Sequence, residues 1–370
     1  MGLSSLLCVL LAGVPALSCS IPKKPATSHT STPSLSHKTI FQFNETGTFL
    51  ENIAVRANGD LLFTSFAPAA HLYTLKKPYA AAPQMALVHT FASADGIGGI
   101  AETSEGSNEY VIVAMNFTAF PTPVAGSSTI EGITLDATTG AVLSTRTVAQ
   151  LPEAGLVNGI VAVPGTTGPA VLVSDSANGV VWRVDVTTGA SEAAFDVAEM
   201  KPTGGATLAS SLGIDGVKIR GGYLYWSNTS RATLYRIAID AQGYPAAGAA
   251  VETVGTVASA TSMDDFAFDA EGNIWVTTNF DNMLGVVGAG TDSNSTGAVV
   301  LGSPTEFTVA GDSAAVFGKT AKDSSVLYIT TCGAMGAPVN GTLMEPAKIV
   351  AVDTRSGSRR GWKSRNLDSK

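Results

Sequence analysis

The sequence predicts an all-β fold, a six-bladed β-propeller, and three observations carry that prediction. First, one phrase occurs twice: Asp264-Asp265-Phe266-Ala267-Phe268-Asp269-Ala270-Glu271-Gly272-Asn273-Ile274-Trp275-Val276-Thr277 and Glu51-Asn52-Ile53-Ala54-Val55-Arg56-Ala57-Asn58-Gly59-Asp60-Leu61-Leu62-Phe63-Thr64. Each copy reads as an acidic opening, a short strand, a glycine turn and a second strand, and such self-similarity marks a repeat architecture. Second, six paired segments rich in β-branched and aromatic residues recur along the chain with no helical period between them. Third, 45% hydrophobic and only 14% charged residues, with 39 glycines, describe a well-buried, turn-rich chain. Its 370 residues fit a single domain of this kind.

Taken in order, residues 1–18 carry an apolar core from Leu6 to Leu17 followed by small residues, the pattern of a secretory signal peptide whose start lacks Lys and Arg. That run falls short of the roughly 18 apolar residues a membrane span needs, so no stable membrane insertion is expected. The expected location is secreted or in the secretory pathway, with glycosylation sequons at Asn44, Asn116, Asn228, Asn294 and Asn340. Residues 19–36, rich in Ser, Thr, Pro and Lys, read as a flexible linker. The propeller is expected over 37–354. Its first segment, Lys38-Thr39-Ile40-Phe41-Gln42-Phe43, alternates as a strand and precedes the first unit, so it should close the ring as the outer strand of the last blade. Second strands are expected at 60–64, 110–114, 170–174, 223–227, 273–277 and 326–330. Third strands follow at 71–75, 132–135, 180–184, 233–237, 283–287 and 348–352. Residues 355–370, basic and nearly free of apolar side chains, read as a disordered tail.

Three cysteines make no disulfide scaffold. Cys8 leaves with the signal peptide, and two states are open for Cys332: a bridge to Cys19 or a free, buried thiol. The formal net charge of −8 excludes nucleic acid and anionic membrane surfaces as partners, because both demand a basic face. The expected partner is a small apolar substrate and the expected state a monomer. No Gly-rich phosphate loop in strand-to-helix context occurs, and Gly-x-Ser-x-Gly is absent.

Aligning the units on their first strands places Glu51, Gly98, Asn158, Asp215, Asp264 and Ser313 in one column. The innermost strands of a propeller run along its central channel, so equivalent positions at one end converge and Glu51, Asn158, Asp215 and Asp264 should meet. Three carboxylates and an amide in a confined channel raise one another's pKa unless a cation sits among them. An all-oxygen donor set suits a hard divalent ion, Ca2+ ahead of Mg2+ or Mn2+. Taken singly, Asn158-Gly159 and Asp215-Gly216 are ordinary turn signals. The shared register is what points to a metal site.

These residues resemble the regucalcin/gluconolactonase (senescence marker protein) family of six-bladed propellers, over roughly 37–354. The resemblance implies a divalent ion held by a Glu opening the first blade, Asn residues opening later Asn-Gly strands and an Asp opening a strand pair. Those positions match Glu51, Asn158, Asp215 and Asp264. Asp215 stands where the family usually has Asn, and Asp265 where it usually has Gly. In lactonase members the Asp matching Asp264 is the general base on a metal-bound water, so a Ca2+-dependent lactonase is one implied activity. A narrower likeness rests on Leu50-Glu51-Asn52-Ile53-Ala54-Val55-Arg56, Asn158-Gly159-Ile160 and Asp264-Asp265-Phe266-Ala267-Phe268-Asp269 behind a signal peptide. It is to secreted fungal members, some similar to hetero-Diels-Alderases that join a tropolone-type quinone methide to a polyene such as humulene.

The two chemistries ask different things of a pocket. A lactonase needs an activated water and a base, whereas a cycloaddition needs two apolar partners held together. Phe66, Met115, Trp226, Phe280 and Met283 are expected to line the channel mouth, with Phe117, Phe120 and Met335 beside them. Any one of these could equally be a blade-packing residue. Asn116 and Asn228 fall at the same strand ends, so a lined mouth and glycans there conflict. The leading expectation is a hetero-Diels-Alderase, followed by the lactonase and then by a propeller that only binds a partner.

Overall fold

The innermost strands explain the architecture, because each alternates between the channel and the seams with neighbouring blades. The computed structural model describes residues 35–355 apart from 166–167 and 291–293. The expected signal peptide, Cys19, almost all of the linker and the basic tail lie outside these residues. Six four-stranded antiparallel blades follow one another along the chain. Their innermost strands are Phe49–Val55, Gly96–Glu102, Val157–Ala162, Ile214–Arg220, Phe266–Phe268 and Asp312–Phe317. Second and third strands lie within three residues of their expected positions at either end. The ring closes as expected: Ser36–Gln42 pairs antiparallel with Lys348–Asp353, making the chain's first described strand the outer strand of blade 6.

Burial is organised by seam, and one apolar cluster fills each. Phe63 and Leu75 of blade 1 meet Tyr328 and Ile349 of blade 6, while Leu172 and Val181 of blade 3 meet Trp226 and Leu224 of blade 4. Trp226 stacks on Tyr235 there, with ring centroids 5.6 Å apart. Blades 4 and 5 are also joined at their rims, where Glu252–Val257 pairs parallel with Ser295–Gly302. Glycine permits that contact: a side chain at Gly255 would lie 2.5 Å from the Ser295 carbonyl oxygen.

Two insertions rise from the frame. Blade 2 carries a small hairpin, Phe117–Ala119 with Thr122–Pro123, between its second and third strands. The connection from blade 3 to blade 4 carries a 3-10 turn, Ala198–Met200, and a short α-helix, Leu208–Ser211. A reciprocal Thr207–Ser210 capping box starts that helix. No helix among the described residues is long and apolar enough to cross a membrane.

Candidate functional site

The site begins with a repeated irregularity. In five blades the pairing of the innermost strand with the second strand slips at the aligned column, between Leu50 and Ile53, Ile97 and Ile100, Val157 and Ile160, Ile214 and Val217, and Asp312 and Ala314. In blade 5 the same place is spanned by Asp264 N–H donating to the Thr277 carbonyl and Thr277 N–H to that of Asp265. A bulge re-aims a side chain, and here it delivers Glu51, Asn158, Asp215 and Asp264 to one place. The following residue faces the next blade at close range. A Cβ at Gly99 would lie 2.3 Å from the Asn158 carbonyl oxygen, and at Gly159 2.6 Å from that of Asp215. The glycine after Asn158 is therefore a packing requirement between blades, not the turn signal that the dipeptide suggests in isolation. Hydroxyls on the second strands clip the bulges. Ser174 Oγ accepts from Gly159 N–H at 2.7 Å and donates to the Asp215 carbonyl. Ser227 Oγ does the same between Gly216 N–H and the Asp264 carbonyl.

One carboxylate oxygen each from Glu51, Asp215 and Asp264 lies within 4.8 Å of the others, and all three residues are buried. The Asn158 amide opposes the rise in the Glu51 pKa, Thr229 Oγ1 donates to Asp215 Oδ2 at 2.7 Å, and Asn279 Nδ2 donates to Asp264 Oδ2 at 2.6 Å. Burial, then the charges of Asp215 and Asp265, holds Glu51 well above the usual carboxylate range. Burial, then Asp215 and Glu51, does the same to Asp264. Burial, helped by Asp265 and opposed by the Thr229 hydrogen bond, pushes Asp215 up to about 7. Three oxygen ligands whose charged forms are disfavoured by desolvation and mutual repulsion are the donor chemistry a hard divalent cation relieves. Glu51, Asn158, Asp215 and Asp264 could hold Ca2+. Asp265, where a glycine was the pattern, is answered by Lys218 at 2.5 Å and by Asn52 Nδ2 at 3.1 Å.

Over this acidic floor opens a cavity of about 260 Å³. Blades 1 and 2 contribute Phe49, Phe66 and Phe120, the insertion between blades 3 and 4 contributes Leu208 and Leu212, and blades 5 and 6 contribute Phe280 and Met335. Phe66, Phe280, Phe120 and Met335 thus line the mouth; Phe117 backs it, packing edge-on against Phe66 and Phe120. Trp226, Met115 and Met283 do not line it. They are strand residues turned into the packing: Met115 into the seam of blades 2 and 3, Trp226 into that of blades 3 and 4, and Met283 buried in the third strand of blade 5. Phe49, Pro121, Leu156, Leu208, Leu212, Asn279 and Gly336 complete the lining and were not picked out from sequence. Phe49 sits two residues before Glu51 on the same strand, so alternation alone could have found it.

The sequons divide by burial. Asn228 is fully buried and its Nδ2 donates to the carbonyls of Glu199 and Lys201, so this fold has no room for a glycan there. Asn116 is half-buried, with Oδ1 accepting from Asp95 N–H, while Asn44, Asn294 and Asn340 are exposed. Cys332 is a free, buried thiol, pushed up to about 12 by burial. A second hollow, of about 230 Å³, is lined by Arg56, Thr74 and Lys76 among apolar residues at the seam of blades 1 and 2, away from the acidic floor.

Fold and site together define a six-bladed channel propeller with a buried acidic trio under an apolar mouth. Among solved structures, a luciferin-regenerating enzyme matches over 84% of this chain and 94% of its own, with TM-score 0.55 and 12% identity. The calcium-binding protein regucalcin from Agrobacterium tumefaciens matches over 85% and 97%, with TM-score 0.51 and 15% identity. Likeness at such identities establishes the shared fold. No family model matches the chain. Its sequence is 33% identical over 313 residues to the "Putative hetero-Diels-Alderase asR5" of Sarocladium schorii, covering 77% of this chain and 75% of that one. It is 32% identical over 306 residues to a "Putative hetero-Diels-Alderase" of a Phoma species, covering 77% and 83%. The chain belongs to the family of these hetero-Diels-Alderase-like proteins.

Proposed function

We propose that the protein is a hetero-Diels-Alderase of fungal secondary metabolism, joining a tropolone-type quinone methide to a humulene-type sesquiterpene. The observation that carries this reading is the mouth: Phe49, Phe66, Phe120, Phe280 and Met335 form its walls, while the polar side chains are confined to the floor. Membership of the family supports the same reading. The reaction needs no proton or electron from the protein. An O=C–C=C heterodiene and an alkene exchange three π bonds for one C–C bond, one C–O bond and one new π bond. Apolar walls can hold both partners in contact and keep out water that would add to the quinone methide, and such pre-association alone supplies several kcal/mol. A divalent ion held by Glu51, Asn158, Asp215 and Asp264 would supply Lewis acidity at the floor.

The buried trio favours one second reading, a Ca2+-dependent lactonase with Asp264 as general base. One experiment separates the two: adduct formation from a humulene and a quinone-methide precursor, run beside a lactone panel, with and without chelator, on wild type and Asp264→Ala. The expected result is adduct formed faster than the spontaneous background and no lactone turnover. Chelator-sensitive lactone hydrolysis abolished in Asp264→Ala would overturn it.

A further inference from the structure

We propose that Asn279 is the catalytic donor to the carbonyl oxygen of the heterodiene and that Cys332 is the residue that positions it; this deepens, and rests on, the hetero-Diels-Alderase reading. In such a cycloaddition the C–C bond leads the C–O bond, so negative charge grows on the heterodiene oxygen. A hydrogen bond to that atom therefore strengthens in the transition state, which is the condition for catalysis. The polar side chains lining the cavity are Glu51, Asn158, Asp215, Asp264 and Asn279. With a cation held among them the carboxylates would be ionised and would only accept, which makes the amides the standing donors. Asn158 belongs to the four residues placed to hold the ion, which leaves Asn279.

Asn279 is held differently. One Nδ2 hydrogen goes to Asp264 Oδ2 at 2.6 Å, and Oδ1 faces the Cys332 sulfur at 3.7 Å. A carboxylate on the nitrogen and a thiol on the oxygen leave one amide orientation, because the flipped amide would place its oxygen against Asp264. The second Nδ2 hydrogen has no acceptor among the described residues. The thiol is buried beside the backbone of Met335 and Gly336, whose N–H groups partly offset the rise in its pKa. A chain of contacts thus runs from the mouth loop through Cys332 and Asn279 to the acidic floor. The backbone supports the same assignment. Asn279 has φ 49°, in the left-handed region, held by its N–H to the Asp312 carbonyl and by Asn282 N–H to its own carbonyl. Asparagine takes this region more readily than most residues, so the bend that carries its amide is held at little cost. Gly336 completes the fit: a Cβ there would lie 2.8 Å from the Phe280 ring and 3.6 Å from Asn279 Oδ1.

The test compares wild type with Asn279→Ala, Asn279→Asp, Cys332→Ser and Cys332→Ala. The readouts are kcat and KM for adduct formation, Ca2+ affinity by calorimetry, thermal midpoint, and the absorption shift of bound tropolone as a stable carbonyl probe. Losing one such donor is expected to lower kcat roughly 100-fold in both Asn279 variants. KM of Asn279→Ala should stay within about threefold of wild type and its tropolone shift should vanish, while Ca2+ affinity should fall because Asp264 Oδ2 loses its partner. Cys332→Ser, which keeps a donor, should retain kcat, whereas Cys332→Ala should lose about tenfold with KM little changed. Wild-type kcat in Asn279→Ala overturns this role and leaves the hetero-Diels-Alderase reading standing. A kcat loss in Asn279→Ala that saturating Ca2+ restores also overturns it, by making Asn279 a support of the ion site alone. A wild type that forms no adduct above background, whatever its tropolone shift, sinks the reading and the role together.

Discussion

Glu51, Asp215 and Asp264 face one another where little water reaches, and that fixes how the protein should respond to pH. Each folded-state pKa is raised above its unfolded value, by burial first and by its neighbours' charges second. Groups of this kind stabilise the fold below their unfolded pKa, and that contribution is lost as pH rises through the folded value. Asp215, at about 7, places part of the loss inside the physiological window. The chelated protein should therefore melt at a lower temperature at a pH of about 8 than at about 5.5, and Ca2+ should raise the midpoint more at the higher pH, where protons no longer compete for the ligands. Scanning fluorimetry at both pH values, with and without chelator, measures this, and Asp215→Asn should flatten the chelated profile. Equal midpoints for the chelated wild type at both pH values would contradict the account. At this scale the four converging residues were legible, because repeats impose a common register on Glu51, Asn158, Asp215 and Asp264. Asn279 was not, since its place depends on a left-handed backbone and on Cys332, which lies far along the chain. Trp226 and Met283 were misplaced for a related reason: hydrophobic residues near strand ends look alike in sequence whether they face the mouth or a seam.

The element that does most to shape the site is the bulged inner strand together with its hydroxyl clip. Ser227 Oγ accepts from Gly216 N–H and donates to the Asp264 carbonyl of the next blade. Ser227→Ala would strand a buried N–H and a buried carbonyl at once, and stability should fall by about 1–3 kcal/mol. Because the stranded carbonyl belongs to Asp264, Ca2+ affinity should fall as well. Ser227→Thr should be better tolerated, since Thr277 and Thr330 fill the same position in blades 5 and 6. Denaturant unfolding and calorimetry on the two variants check this, and an Ala variant as stable as wild type would show the clip to be dispensable. Gly159→Ala tests the same element from its other side. The added Cβ would meet the Asp215 carbonyl oxygen at 2.6 Å, and overpacking of this sort costs about 1–3 kcal/mol. Second and third strands could be read from sequence because seam packing keeps them apolar. Outer strands such as Gln84–Thr90 and Val142–Gln150 could not, because most of their residues are exposed and carry no alternation to read. The hairpin at Phe117–Ala119 and the helix at Leu208–Ser211 are too short to leave a period. Yet these insertions bring Phe120, Leu208 and Leu212 to the mouth.

For the whole molecule, stability is a property of a closed ring. Each seam cluster draws residues from at least two blades, so no blade buries its own faces alone. Arginines reinforce the seams from one blade to the next: Arg56 to the Asp136 carbonyl, Arg146 to Val186, Arg183 to Gln242 and Arg220 to Asp269. Beside the second hollow, Arg56 Nη2 reaches Asn108 Oδ1 and the Asp136 carbonyl, while its buried Nε has no partner among the described residues. Closure depends on one strand from the other end of the described chain. Ser36–Gln42 covers the edge of Lys348–Asp353, while Ile40, Phe41 and Phe43 pack on the seam of blades 6 and 1. A chain that starts after Gln42 would leave blade 6 with three strands and expose an apolar edge, the geometry that invites pairing between molecules. Such a truncation should lower the thermal midpoint by roughly 10 °C or more and populate oligomers in light scattering, whereas a chain starting at Leu35 should behave as the full protein does. Since the opened seam also carries Leu50, next to Glu51, and Ala314, next to Ser313, Ca2+ affinity should fall together with stability. A truncated protein that stayed monomeric with an unchanged midpoint would mean that the ring is held by its seams alone, and that the closing strand shields an edge without supporting the site.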